Sequence, residues 1–215
     1  MLTIWGRKSS SNVQKVMWLV AELGVPYQHI PAGGPYGKID EPSYRAMNPN
    51  GLVPVIDDDG TIVCESNAIL RYIASAYGAP RLWPEEPRAR AAFDQWMDWV
   101  ATTLQPDFIG LFYAYWRTPE DQRDQELIAT LTEKSRQRFQ FLDAQLAGRP
   151  YLLGDEFSLA DIANGVHLYR LFTLEIFRDV RLPHIEAWYQ RLQQRPAYRQ
   201  HVMVAYDELK GRLSF

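Results

Sequence analysis

A chain of 215 residues, 47% apolar and 23% charged, can remove roughly 70% of its unfolded surface from water without covalent staples. Its 23 basic and 26 acidic residues leave a formal charge of −3, which argues against a nucleic-acid partner. The single cysteine, Cys64, excludes a disulfide scaffold and points to a reducing compartment. No run approaches the ~20 apolar residues of a membrane helix, and residues 1–8 lack a secretory apolar core. The expectation is a soluble cytoplasmic protein.

Residues 1–78 mix strand and helix patterns. Leu2–Trp5 is apolar and β-prone, and Val13, Val16, Met17, Val20 and Leu23 then recur at helical spacing. Gly24 and Pro26 supply the stop. Tyr27–Ile30 reads as a second strand, and residues 52–56 and 61–63 flank the hairpin turn Asp57-Asp58-Asp59-Gly60. Ile69, Tyr72, Ile73 and Ala76 mark a helix closed by Gly78. The order is β-α-β, a connecting segment, then β-β-α, with the first strand pair parallel and the last antiparallel.

Residues 79–86 form a proline-marked linker, and residues 87–215 read as an all-helical domain. Phe93, Trp96, Val100 and Thr103 start one helix, which Pro106 is expected to kink or break. Leu127 through Leu146 give a long second helix, Ser158 opens a third, and Leu182-Pro183-His184 leads into a fourth.

Many chemistries find no residues. There is no phosphate-binding P-loop, no H-E-x-x-H, no cysteine pair and no G-x-S-x-G, so no metal is expected. His29, His167, His184 and His201 are scattered and read as surface or internally satisfied groups, and Cys64 as a buried, inert thiol.

Three features remain. Arg7-Lys8-Ser9-Ser10-Ser11-Asn12 precedes the first helix, where unpaired N–H groups favour an anion; alternatively one of these side chains only caps the helix. Val53-Pro54 interrupts an apolar strand run, which fits an edge strand, a bulge or a cis peptide. A cis bond would leave the backbone of Val53 open to an extended ligand. Glu65-Ser66 opens the Ile69 helix, with Ser66 either a simple cap or one half of a grip on an α-amino-acid end.

Taken together, the Asn48-Pro49-Asn50-Gly51-Leu52-Val53-Pro54 run, the Glu65-Ser66-Asn67-Ala68-Ile69-Leu70-Arg71-Tyr72 run and the Phe157-Ser158-Leu159-Ala160-Asp161-Ile162 capping box resemble the cytosolic glutathione transferases over essentially the whole chain. The resemblance implies a thioredoxin-like domain followed by a helical bundle (α/β plus all-α), glutathione as co-substrate, a homodimer, and thiolate attack on a small hydrophobic electrophile. It also admits a glutathione-dependent disulfide reductase or peroxidase without a protein cysteine, or a non-enzymatic ligand-binding relative. The first tyrosine, Tyr27, lies in the second strand and the first loop has no cysteine, so the serine- and asparagine-type loops match. Ser10 then falls at the catalytic position, Asn12 second and Ser11 third. The resemblance assigns Val53, Pro54, Glu65 and Ser66 to glutathione, with Lys38 and Asn50 as candidates for its glycyl carboxylate. It places the electrophile beside Phe108, Phe112, Tyr113, Tyr115 and Trp116.

Overall fold

The computed structural model describes residues 1–213. Strands β1 (Leu2–Trp5), β2 (Tyr27–Ile30), β3 (Val55–Asp58) and β4 (Thr61–Cys64) form one sheet in the order β2-β1-β3-β4. The β1–β2 pair is parallel and the other two pairs are antiparallel, as the hairpin and crossover chemistry requires. Asp59 and Gly60 take positive φ at the β3–β4 turn, and the Gly60 N–H donates to the Asp57 carboxylate at 2.7 Å. Helix α1 (Ser11–Leu23) is closed by Gly24 in the left-handed conformation, whose N–H returns to the last turn. The connecting segment contains a short helix, α2 (Pro42–Met47), and α3 (Ser66–Ala76) ends the sheet domain.

The helix α4 (Pro87–Trp99) is not broken at Pro106. A π-helical stretch, Val100–Leu104, carries it into α5 (Gln105–Phe112), and a second π-helical stretch, Tyr113–Arg117, extends it further. Widening the turn gives the backbone a way past the missing proline N–H, so the chain continues helically. Then follow α6 (Gln125–Gln145), α7 (Leu159–Gly165), α8 (Leu168–Thr173), α9 (Pro183–Gln193) and α10 (Pro196–His201). The short helices α8 and α10 have too few turns to announce themselves by periodicity. No helix among the described residues is long and apolar enough to cross a membrane.

One continuous apolar core runs from Leu2 and Ile4 through α1 and α3 into the bundle. The proline-marked connection takes part in it: Ala79 and Trp83 are buried, and the Leu82 carbonyl accepts from Leu159 N–H at 3.2 Å. Helix α1 lies between the sheet and the bundle, packing on α3, α7 and α10. At its C-terminal end Arg195 makes a two-pronged pair with Glu22, at 2.8 and 2.7 Å, while its guanidinium sits over the Phe157 ring.

The Ser158–Asp161 capping box forms as the sequence implies. Asp161 is fully buried and accepts from Ser158 N–H, Ser158 Oγ, Leu152 N–H and Trp188 Nε1 at 2.9–3.1 Å. Burial pushes its carboxyl up to about 6 against the pull of those donors. Removing an acceptor with four buried donors leaves them unsatisfied, so Asp161→Ala is expected to cost about 3 kcal/mol of stability in chemical denaturation. Because the folded state holds that proton more tightly than the unfolded chain, wild type should lose stability relative to Asp161→Asn as pH rises from 3.8 to about 6. A flat difference across that window would count against this account.

Candidate functional site

The loop between β1 and α1 sorts its three serines. Gly6, at φ 155°, brings the chain so close to α1 that an added Cβ would lie 2.4 Å from Val13 Cγ2. Ser9 is buried; its hydroxyl donates to Glu208 and its carbonyl accepts from the Arg170 guanidinium. Ser11 is the first helical residue and is buried. Ser10 occupies the N-cap position with extended backbone, yet its side chain makes no capping bond. The hydroxyl is therefore not spent on the helix. No acidic residue stands in the first turn, so no side chain of that turn offsets the partial positive charge of the helix end.

Asn12, the second helical residue, is held by its carbonyl oxygen. Ser66 Oγ and Gln105 Nε2 both donate to Oδ1, each at 3.3 Å. Lys15 closes the ring by donating to Ser66 Oγ at 3.4 Å and Gln105 Oε1 at 3.1 Å. The ring joins α1, the start of α3 and the start of α5. Lys15 is 1% exposed, and burial lowers its ammonium to about 7, with Glu65 opposing that shift. Nearby His167 is also fully buried, and neither ring nitrogen has a partner among the described residues. Burial and the charges of Lys15 and Arg170 hold it well below the ordinary histidine value. It is neither a surface nor a satisfied histidine, which corrects the expectation for that residue; His29 Nε2, by contrast, meets the Gly6 carbonyl at 2.7 Å.

The Val53–Pro54 bond is cis. Of the three readings open from sequence, the structure takes that one. The ladder of β3 begins only at Val55, so Val53 stands outside it. The approach is fixed from behind: the Leu52 carbonyl accepts from Tyr44 OH at 2.8 Å and Asn48 Nδ2 at 2.9 Å, and Asn48 Oδ1 accepts from Asn50 N–H at 3.1 Å. Glu65 takes a left-handed φ of 68° and stands at the cap position of α3. Ser66 is thus the first helical residue and not the cap, a shift of one from the capping reading. Glu65 is exposed and Ser66 buried. Lys38 and Asn50 are exposed, and no side-chain hydrogen bond among the described residues fixes either one.

Ser10, Ser11 and Asn12 line a cleft whose opposite wall includes Phe112, Tyr113 and Arg170. Tyr113 is 39% exposed, with the Arg117 guanidinium 4.3 Å from its ring. The other three aromatic candidates lie elsewhere. Phe108 is fully buried between Phe139, His167 and Phe177. Tyr115 packs under Arg123, and Trp116 packs between Tyr206 and Lys210. Cys64 is half-buried at the end of β4 beside the small Ala32–Tyr44–Val55 cluster, not fully enclosed as expected. No group of three or more His, Cys, Asp or Glu among the described residues is arranged to hold a metal. Sequence reasoning missed Gln105, Tyr44, Arg170 and Lys15, and gave Asn48 no role of its own. The one signal for Lys15 was a lysine inside the apolar run Val13–Val20.

Residues 5–81 match the family model for the glutathione S-transferase N-terminal domain, and residues 92–196 that for its C-terminal domain. Glutathione S-transferase GstB of Escherichia coli K12 is 43% identical, covering 95% of this chain and 99% of that protein. Glutathione S-transferase F9 of Arabidopsis thaliana is 30% identical, covering 94% and 96%. The theta class glutathione S-transferase of Xanthomonas axonopodis pv. citri, solved with glutathione bound, superposes with a TM-score of 0.90 at 47% identity, covering 95% and 98%.

Asn48 is 2% exposed and bonds at both ends of its amide. Asn48→Ala should lower stability by about 1–3 kcal/mol in chemical denaturation, and it should make the backbone N–H groups of residues 50–53 exchange faster with solvent. Unchanged exchange there would mean that Asn48 does not hold the loop.

Proposed function

The chain belongs to the glutathione S-transferase family, and from that footing we propose that it conjugates the glutathione thiolate to a small hydrophobic electrophile, with Ser10 and Asn12 as the groups that donate to sulfur. The observation that carries this reading is the state of the α1 N-terminus. Ser10 keeps its hydroxyl uncommitted, and Asn12 has its oxygen engaged twice, which leaves its N–H groups as the edge available to a ligand.

A free thiol titrates near ~8.5 and is mostly protonated at pH 7. Each unit of depression requires about 1.4 kcal/mol of preference for the thiolate. Two neutral donors at a helix N-terminus supply stabilisation of that size, since hydrogen bonds to charged groups contribute about 1.5–3 kcal/mol each. The thiolate then attacks an electrophilic carbon; the new bond is sulfur to carbon, and the leaving group departs with the electron pair of the broken bond. Proximity on the protein replaces a bimolecular encounter.

The remaining contacts extend the same groove. Val53, preceding the cis Pro54 and outside the ladder, offers its backbone N–H and C=O to the cysteinyl unit. Exposed Glu65 takes the γ-glutamyl ammonium, and Ser66 with the α3 N-terminus takes its carboxylate. Lys38 and Asn50 remain the candidates for the glycyl carboxylate. The electrophile lies against Phe112 and Tyr113, across the cleft from Ser10. A homodimer in the cytoplasm is part of this reading, and sedimentation tests the first half of it.

Wild type should bind reduced glutathione in calorimetry and conjugate it to an aryl halide. Ser10→Ala and Asn12→Ala should each lower kcat/KM by about 10²-fold, the size expected for a donor to developing or stabilised charge. The acid limb of the pH profile should lie below the free thiol value in wild type and move up in both variants. Full activity in the double variant would remove the two residues from the mechanism. Turnover of glutathione disulfides or peroxides with none of aryl halides would replace conjugation with redox chemistry.

A further inference from the structure

Lysine is among the residues least often fully buried, and an ammonium taken out of water needs donor-compatible partners on every side. Lys15 has been placed where only acceptors meet it: Ser66 Oγ and Gln105 Oε1. It is not part of a salt bridge among the described residues. Glu65 acts on it from the start of α3, and His167, the fully buried residue just before α8, faces it as a neutral ring with Arg170 beyond.

An ammonium has three donors and no acceptor. Its bond to Ser66 Oγ obliges the serine to accept there and to send its own proton onward. The onward partner is Asn12, and a proton can be received only by its oxygen. The bond to Gln105 fixes that amide with its oxygen toward Lys15, so its NH2 also faces Asn12 Oδ1. Two donors converge on one oxygen, and the amide of Asn12 has one orientation left.

We propose that Lys15 is a positioning residue for the sulfur site: as a buried, donor-only cation it sets the direction of every hydrogen bond in the Ser66–Asn12–Gln105 ring and so turns the Asn12 N–H edge toward the bound thiolate. The inference rests on the proposed role of Asn12. A neutral amine in the same place would accept as well as donate, and Ser66 and Gln105 would be free to reverse. Burial brings the ammonium down to about 7, near the point at which that freedom appears, and a thiolate in the cleft favours the charged, ordering form.

The test uses the whole protein with glutathione, reading the pKa of the bound thiol from the ultraviolet absorbance of the thiolate and affinity by calorimetry. Lys15→Met should raise the bound thiol pKa by about one unit, a tenfold shift of its ionisation equilibrium toward the thiol, and lower kcat/KM. Loss of a nearby positive charge alone would raise it too, so the deciding measurement is a double-variant cycle. In the Asn12→Ala background Lys15→Met should change the thiol pKa several-fold less, because the amide it orients is gone. Additive effects overturn the proposal, as does a wild-type thiol pKa in Lys15→Met. If Lys15→Met does not fold, Gln105→Met, at a half-buried position, removes one of the two donors to Asn12 and should raise the thiol pKa in the same direction; no rise overturns the proposal. Wild type that gives no heat with glutathione overturns the functional reading itself, whereas a normal wild type with an additive cycle overturns only the role of Lys15.

Discussion

The first turn of a helix carries backbone N–H groups that the helix cannot satisfy. In α1 no acidic side chain stands among them, and the residue at the cap position withholds its hydroxyl. An anion brought to that point gains the helix end, the Ser10 hydroxyl and the Asn12 amide together, and much of the architecture serves to hold that turn still. Gly6 allows the loop to lie against Val13. Arg170 grips the Ser9 carbonyl from α8, and Gln105 reaches Asn12 from α5. These bonds reach across more than ninety residues of chain, so the proposed sulfur site is not a property of the sheet domain alone. The helical domain completes it from outside.

This dependence explains why α1 is buried nearly all round. A helix on the surface of a two-layer domain has one apolar face and one wet face. Here α3, α7 and α10 all pack against it, and Gln14, Lys15 and Trp18 are enclosed as fully as Val13 and Val16. Polar groups so enclosed require partners. Gln14 bonds the Lys8 carbonyl, Trp18 bonds Glu22, and Lys15 enters the ring around Asn12. Burial of the whole helix thus forces polar order onto the loop and the turn that present the site.

The same geometry marks the limit of what the residues reveal before folding. Strands β1, β2 and β4, the presence of the β-hairpin, the capping box and the ends of α1 and α6 were legible because they depend on local chemistry: Gly24 at a helix stop, Asp59-Gly60 at a tight turn, Ser158 three residues before Asp161; β3 was not, since it begins at Val55 and takes in Asp57 and Asp58 of the expected turn. Of the five aromatic positions that the resemblance assigned to the electrophile, Phe108, Tyr115 and Trp116 do not line the cleft that holds Ser10. The π-helical stretches at Val100–Leu104 and Tyr113–Arg117 rotate the register, so Tyr113 faces the cleft while Tyr115 and Trp116 turn toward Arg123 and Tyr206. Lys15 was hidden for a different reason. Its periodic position says which face of α1 it is on, and nothing local says that a second domain covers that face.

Why the cation should stand two side chains removed from the sulfur follows from thiol chemistry. A thiolate gains abundance as its pKa falls but loses intrinsic nucleophilicity, with a Brønsted coefficient of about 0.4–0.5, so the best attacking thiol has a pKa near the working pH. An ammonium in direct contact with sulfur in a desolvated cleft would be a strong pair, and would stabilise the thiolate past that optimum. Neutral donors give a smaller stabilisation, and it is one that must be aimed. In the proposed arrangement Lys15 supplies the aim through Ser66 and Gln105 while its charge stays behind Asn12. The sulfur then meets hydroxyl and amide protons, remains reactive, and still benefits from a positive charge at longer range.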